Sequence, residues 1–153
     1  NGEAELIDRS AAWIVNEVGG AVPVIKVTGR IVVTNIRRFL VSIDEDEVLC
    51  RLTRTLEKAD TRLMSFTAGA WLLHFANLAP EVDAASGFNL EHAVAKRLYA
   101  GIVDGQIRWA RMKHEPQYVG YSGTEGTRYD TLGSRLRQPL RAVYRRIPLP
   151  RYI

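Results

Sequence analysis

A chain of 153 residues with one cysteine, Cys50, is long enough to bury its own core and cannot contain an internal disulfide framework. Its composition, 46% hydrophobic and 25% charged, is typical of a single globular domain. The net charge of +4 is unevenly divided: residues 1–105 carry 11 basic and 14 acidic side chains, whereas residues 106–153 carry 10 basic, nine of them arginine, and 3 acidic.

The amino-terminal part predicts a helix followed by a small hairpin. Residues 5–18 have the apolar spacing of a short amphipathic helix, which Gly19 and Gly20 would end. Residues 22–34 are rich in β-branched side chains and are divided by Thr28-Gly29. Because glycine can adopt the positive φ that tight turns need, this pattern predicts a β-hairpin over residues 22–34.

The next segment predicts a helix that begins near Ser42. Ser42 and Glu45 have the spacing of a capping box, and the following apolar residues, 48 to 56, have helical spacing. The acidic residues 44–47 would then lie in the first turn, where carboxylates interact favourably with the helix dipole. Cys50 would be a buried structural thiol on this helix.

The most apolar run, Thr61 to Ala79, predicts a central buried helix, because its apolar side chains cover most of a helical circumference. Trp71, Leu72 and Phe75 are its expected core anchors. A membrane-spanning helix needs about 20 predominantly apolar residues. This run is shorter and contains several polar side chains, so no membrane span is predicted.

The carboxy-terminal half predicts further helices and then an irregular end. Asn89 can cap a helix over residues 90–103, and residues 106–115 continue as another helical piece. A glycine-rich loop follows from Pro116, and a last short helix begins near Pro139. The prolines at 148 and 150 exclude helix from the final residues, which predicts an extended arm.

These elements predict a mainly α protein with a small amino-terminal β-hairpin. The expected organisation is a helical core over residues 1–126, with a basic segment and extended arm over residues 127–153 belonging to the same domain. No internal repeat and no linker between two domains is recognised.

The sequence contains no established catalytic signature. His74, His92 and His114 do not belong to a metal-binding or catalytic spacing, and no nucleophile motif is present. The glycines of residues 120–127 lack the Lys-Ser/Thr ending of a phosphate loop. We therefore predict no catalytic, cofactor-binding or metal-binding residues and no cofactor. The alternative is a small enzyme or ligand-binding protein with a pocket near His74 or His92.

The arginine-rich end is the predicted binding region. Guanidinium groups pair with phosphates and aromatic rings stack on unpaired bases, although Arg, Tyr and Trp are also enriched in protein interfaces. A third interpretation is a basic surface whose arginines are solvated or pair with the acidic amino-terminal part. The nearby Arg108, Trp109, Arg111, Tyr118, Tyr121 and Tyr129 share this composition. The predicted contact residues are Arg128, Arg135, Arg137, Arg141, Tyr144, Arg145, Arg146, Arg151 and Tyr152.

The resulting functional prediction is a non-catalytic structural subunit of a larger assembly, with a nucleoprotein as one form of that assembly. Its expected partners are other protein subunits and single-stranded nucleic acid, RNA included. No secretory signal peptide is recognised, and the expected location is intracellular or inside an organelle. The chain begins with Asn rather than Met, which is compatible with a leader segment before it.

Overall fold

The computed structural model describes residues 2–83 and 85–121. Its main elements are, in chain order, α1 (Gly2–Glu17), β1 (Pro23–Val27), β2 (Ile31–Val33), β3 (Glu47–Leu52), β4 (Ala59–Thr67), α2 (Ala68–His74), α3 (Leu90–Val103), β5 (Arg108–Arg111) and β6 (Tyr118–Gly120). Two 3₁₀ turns lie at Ile36–Phe39 and Ala79–Glu81.

The chain divides into two compact units. The core unit consists of residues 1–28 and 40–112, and the ribbon unit consists of residues 29–39 and 113–153. The ribbon unit is therefore built from two stretches of chain that are separated in sequence by residues 40–112. The predicted boundary between residues 126 and 127 falls outside the described residues.

The prediction of a mainly α fold is wrong. Of the described residues, 37% are helical and 28% lie in strands, with a mixed four-stranded sheet beside three α-helices. The sheet has the order β1-β4-β3-β5, in which β4 is antiparallel to both β1 and β3, and β5 is parallel to β3. Among the described residues no helix is long and apolar enough to cross a bilayer.

The predicted central helix over residues 61–79 is instead a strand followed by a short helix. Residues 61–67 belong to β4, and α2 begins at Ala68, where the Thr67 hydroxyl accepts a hydrogen bond from the Ala70 N–H. All five residues from Leu63 to Thr67 are buried. Since side chains on both faces of this strand are covered, its apolar residues do not alternate with polar ones, and periodicity could not separate strand from helix.

The anchors predicted in this run are partly confirmed. Trp71 and Phe75 are fully buried, and their rings stack with centroids 5.3 Å apart. Leu72 is half-buried and packs against the edge of the same core. The adjacent Leu73 is 77% exposed, because it lies on the outer face of a helix of only seven residues.

The predicted hairpin over residues 22–34 is also wrong, although both of its strands exist. β1 pairs with β4 in the core unit, whereas β2 pairs with β6 in the ribbon unit. Local turn chemistry at Thr28-Gly29 therefore did not decide the pairing. Each strand instead found a partner that lies far away in sequence.

Two further helical predictions are replaced by strands. Residues 47–52 form β3, and the acidic residues before it form a turn in which the Glu47 N–H donates to the Asp44 carbonyl oxygen at 3.0 Å. Residues 108–111 form β5 beside it. Residues 118–120, expected to be a loop, form β6. The helices predicted over residues 5–18 and 90–103 are confirmed as α1 and α3.

The core of the core unit lies between the sheet and its helices. Val48, Cys50, Met64 and Phe66 from the strands belong to one buried cluster with side chains of α2, α3 and the segment after α2. These latter side chains are Trp71, Phe75, Leu78, Ala93, Val94 and Leu98. Burial of Cys50 is thereby confirmed, on a strand rather than on the predicted helix.

Candidate nucleic-acid interface

The predicted contact residues lie beyond the part of the chain that the structure describes. These are Arg128, Arg135, Arg137, Arg141, Tyr144, Arg145, Arg146, Arg151 and Tyr152, and the predicted last helix and extended arm lie there as well. The candidate interface is therefore built from the described residues that precede them in the ribbon unit.

Part of the basic carboxy-terminal third belongs to the core unit instead. Arg108 lies on β5 and forms ion pairs with Asp44, with Asp46 at 3.4 Å and with Glu47 at 3.9 Å. The hydrogen bonds to Asp44 and Asp46 raise the pKa of the Arg108 guanidinium. The indole Nε1–H of Trp109 donates to the Cys50 carbonyl oxygen at 3.1 Å. Both side chains thus stabilise the junction of β3 and β5.

Most cations of the core unit are neutralised by nearby carboxylates. This unit has ten Lys and Arg residues and fourteen Asp and Glu residues. Six of the ten form ion pairs with other described residues, including Arg62 with Asp60 at 2.7 Å and Arg97 with Glu81 at 2.5 Å. The other four pairs join Lys26 to Glu3, Arg51 to Asp60, Lys96 to Glu81 and Arg108 to Asp44.

The described part of the ribbon unit has the opposite character. It contains Arg30, Arg37, Arg38 and Lys113 but a single carboxylate, Glu115. All four cationic residues are exposed, and none of their side chains forms an ion pair or hydrogen bond with another described residue. The sequence beyond residue 121 adds seven arginines and two acidic residues to this chain segment.

Three of these cations could not be recognised by comparing the charge of the two ends of the chain. Arg30, Arg37 and Arg38 lie in the half of the sequence that is acidic on average. A local count would have found them, since residues 27–43 contain three arginines and no acidic side chain. The pairing of β2 with β6 shows that these arginines share a unit with residues 113–121.

The two paired strands β2 and β6, called the ribbon below, are held in register by an asparagine side chain. The Nδ2 of Asn35 donates to the Glu115 carbonyl oxygen at 2.9 Å, and its Oδ1 accepts from the Gln117 N–H at 2.9 Å. The Thr34 N–H donates to the Gln117 carbonyl oxygen at 2.9 Å. The Asn35 amide therefore prolongs the ladder of the ribbon by two hydrogen bonds, directly before the turn that contains Arg37 and Arg38.

The other end of the ribbon depends on Gly120. Its φ is +128°, and a Cβ atom at this position would lie 2.4 Å from the Arg30 carbonyl oxygen. The absence of a side chain lets the two strands approach closely enough for the Tyr121 N–H to reach that oxygen at 3.4 Å. Arg30 and Tyr121 are thereby placed opposite each other.

His74 contributes to a groove in the core unit. The groove has a volume of about 520 Å³, and Glu45, Asp46, Leu73 and Gln106 are among the other residues that line it. Partial burial lowers the pKa of His74, so the imidazole is neutral at pH 7. Among the described residues no group of three or more His, Cys, Asp and Glu side chains is placed to hold a metal ion.

Two of the remaining reactive side chains, those of His92 and Cys50, have structural roles. The Nδ1 of His92 accepts a hydrogen bond from the Asn89 N–H at 3.1 Å at the start of α3, and its ring stacks on Phe88. Burial raises the pKa of the Cys50 thiol to about 12. His114 is exposed in the ribbon unit. His92 therefore acts as a helix cap, and Cys50 is a structural thiol.

Comparison with known proteins adds no assignment: no family model, no curated protein and no solved structure matches the chain.

Proposed function

We propose that the protein is a non-catalytic subunit of a nucleoprotein assembly and that its ribbon unit contacts nucleic acid. The carrying observation is the difference between the two units. Six of ten cations in the core unit are ion-paired, whereas the side chains of Arg30, Arg37, Arg38 and Lys113 make no such contact with other described residues. The arginines of residues 128–151, which follow in the sequence, are included in this proposed interface.

Unneutralised cations favour a polyanion for a physical reason. A cation already paired with a carboxylate gains little from a phosphate, because it must give up one partner for the other. An exposed, unpaired guanidinium instead displaces condensed counterions from the nucleic acid, and their release drives binding at low salt. Guanidinium groups also match the geometry of phosphate oxygens.

The charge variant that tests this proposal has a matched control in the same chain. The test variant replaces Arg30, Arg37, Arg38 and Lys113 with glutamine. The control replaces the four exposed cations of the core unit that have no ion pair among the described residues, and thus removes the same net charge. These control residues are Arg9, Arg54, Lys58 and Arg111.

Binding of a fluorescent 30-nucleotide single strand is measured by anisotropy over a range of salt concentrations. We expect the test variant to bind at least about tenfold more weakly at low salt and to show a shallower salt dependence, by about 0.7 in log–log slope for each phosphate that is no longer bound. The control variant should stay within about threefold of wild type. Equal decreases in both variants, or no binding by the wild-type protein at low salt, would contradict the proposal.

The protein-assembly part of the proposal has a separate readout. The expected partners are further subunits, held in part by the proline-bounded residues 148–153. Native mass measurement of the full chain and of a chain ending at residue 147 compares their assembly states. If both samples are monomers, with or without the single strand, the assembly part of the proposal is contradicted and only the nucleic-acid contact remains.

A ligand-binding function at the His74 groove is the second candidate. It is favoured by the groove itself, which combines a neutral imidazole with the carboxylates of Glu45 and Asp46 and the apolar Leu73. A His74→Ala variant that folds normally and keeps all nucleic-acid binding, yet loses a small-molecule ligand or a turnover, would support this function. Loss of nucleic-acid binding in the same variant would contradict it.

A further inference from the structure

The ribbon presents one face on which every side chain is exposed. Side chains alternate between the two faces of a strand, and Val32 lies directly opposite Val119 in the β2–β6 register. Continuation of this register places Thr34 opposite Gln117 at one end, where the Thr34 hydroxyl lies 3.3 Å from Gln117 Oε1. Arg30 lies opposite Tyr121 at the other end.

All six residues of these three pairs are exposed. Val32 is 63% exposed, Val119 37% and Tyr121 54%. On the opposite face of the ribbon Val33 is buried and Tyr118 is half-buried. The ribbon therefore has apolar side chains on both faces, and the face with Val32 and Val119 is open to solvent. We call the six exposed residues Arg30, Val32, Thr34, Gln117, Val119 and Tyr121 the platform.

The platform combines four kinds of side chain that can contact an unpaired base: aromatic, aliphatic, polar and guanidinium. Tyr121 offers a ring on which a base can stack, as aromatic side chains do in proteins that bind single strands. The Val32–Val119 pair offers an apolar surface to the face of a neighbouring base. Thr34 and Gln117 offer hydroxyl and amide groups to base edges, and Arg30 can stack on a base or pair with a phosphate.

We infer that the platform binds the unpaired bases of single-stranded nucleic acid, while Arg37, Arg38 and Lys113 at its Thr34 end bind the phosphates. This inference rests on the proposed function and names the form of nucleic acid and the residues that recognise it. A base pair inside a duplex is already stacked on both faces. The platform therefore discriminates against duplex, because a stacking ring gains a partner only where bases are unpaired.

Charge distinguishes this ligand from another protein surface of the same kind. A second copy of the ribbon would bring its own Arg30, Arg37, Arg38 and Lys113 towards these cations, and like charges repel. A nucleic-acid strand brings apolar base faces, which complement the apolar side chains of the platform, together with negative phosphates, which complement the cations beside it. The cations flanking Val32 and Val119 thus favour a polyanion over self-association.

The test compares three substitutions of one exposed side chain. Tyr121→Phe keeps the ring, Tyr121→Trp enlarges it, and Tyr121→Ser removes it; none of them changes the charge. A matched control, Trp13→Ser, removes an aromatic side chain that is 63% exposed on α1 of the core unit. Affinity for a labelled single strand and for a duplex of the same sequence is measured by anisotropy, with amide exchange of Val119 reporting the integrity of the ribbon.

We expect Tyr121→Trp to bind the single strand more tightly than Tyr121→Phe does. Tyr121→Phe should stay within about twofold of wild type, and Tyr121→Ser should bind at least about fivefold more weakly. The salt dependence should not change in this series, because every phosphate contact is kept. Duplex affinity should be weaker and insensitive to residue 121, and Trp13→Ser should bind like wild type.

The outcomes separate this inference from the proposed function. If the wild-type protein binds no nucleic acid, the proposed function fails and the platform fails with it. If binding persists with the expected salt dependence, but Tyr121→Ser binds single strands like wild type or weakens duplex binding equally, the platform alone is overturned. If Tyr121→Ser loosens the ribbon, the comparison of Phe with Trp on single strand and duplex still decides, since equal effects on both ligands contradict base stacking.

Discussion

Gly120 occupies a backbone position that a residue with a Cβ atom can enter only at a cost. Its φ of +128° is unfavourable for L-amino acids, and the added atom would meet the Arg30 carbonyl oxygen at 2.4 Å. We expect Gly120→Ala to destabilise the ribbon by about 1–3 kcal/mol. The destabilisation should appear as faster amide exchange at Val119 and Tyr121.

Gly29 provides the control for this substitution. It belongs to the same unit, it has no positive φ, and a Cβ atom added there would meet nothing within 4 Å. Gly29→Ala should therefore leave the exchange rates unchanged or slow them slightly, because it restricts the unfolded chain. Similar effects of both substitutions would mean that the close approach of the strands at Gly120 does not limit the ribbon.

Single residues were predictable from the sequence where their environment is local. The apolar neighbours of Trp71, Phe75 and Cys50 predict their burial, and the position of Asn89 before a periodic run predicts that it occupies the N-cap position of α3. The role of Asn35 was not predictable. Its two hydrogen-bond partners lie about eighty residues away, and no local pattern indicates such a partner.

At the scale of elements, Glu81 joins the 3₁₀ turn at Ala79–Glu81 to α3. Its Oε1 accepts from Arg97 Nε at 2.7 Å and its Oε2 from Lys96 Nζ at 3.1 Å. Burial disfavours the ionised form of this carboxyl, but these hydrogen bonds and charges outweigh burial and lower its pKa below the usual value of 4.5. The carboxylate thus stabilises the fold when ionised.

We expect Glu81→Gln to destabilise the core unit by about 1 kcal/mol at pH 7. A lowered pKa in the folded state means that the folded chain binds this proton less readily than the unfolded chain does. The contribution is therefore complete above the unfolded-state pKa of 4.5 and is lost as the pH falls through the pKa of the folded state. The difference in urea midpoint between wild type and Glu81→Gln should shrink as the pH falls through this range.

An exposed carboxylate on α1 gives the control, Glu5→Gln, for which we expect a small difference at every pH.

Helices and strands are predictable from the sequence where one face is buried and the other is exposed to solvent. The periodicity of α1 and α3 identified both helices, since each alternates between a buried stripe and solvent. The same reasoning failed for β4, which is buried on both faces, and for β3, whose short apolar run also fits a helix. These segments form strands because they pair with other strands, and such pairing depends on residues that are distant in sequence.

At the scale of the whole molecule, Cys50 reports on the integrity of the core unit. It is fully buried, and burial raises its thiol pKa to about 12. Since the thiolate is the reactive form, the folded protein should not react with a disulfide reagent at pH 8. We expect reaction to appear with increasing urea in parallel with loss of the far-ultraviolet circular dichroism signal. Rapid labelling of the native chain would contradict the burial of this thiol.

The charge of the molecule was only half predictable. The basic end was evident from the sequence, but its partition between units was not: Arg108 and Arg111 belong to the core unit, and Arg30, Arg37 and Arg38 belong to the ribbon unit. The sequence therefore predicts which residue types the candidate site contains, but it does not predict which of these residues lie close together in the structure. Its cations come from two segments that are far apart in sequence and that the β2–β6 pairing joins.

That pairing also sets an order of events during synthesis. Residues 34–117 separate the end of β2 from the start of β6, so β2 leaves the ribosome long before its partner exists. Every strand of the core sheet precedes β6 in the chain, and contacts of long sequence separation form late. A nascent chain would then complete its sheet before it can assemble the ribbon. If the ribbon binds nucleic acid as proposed, the growing chain would acquire that capacity only after its core sheet is complete.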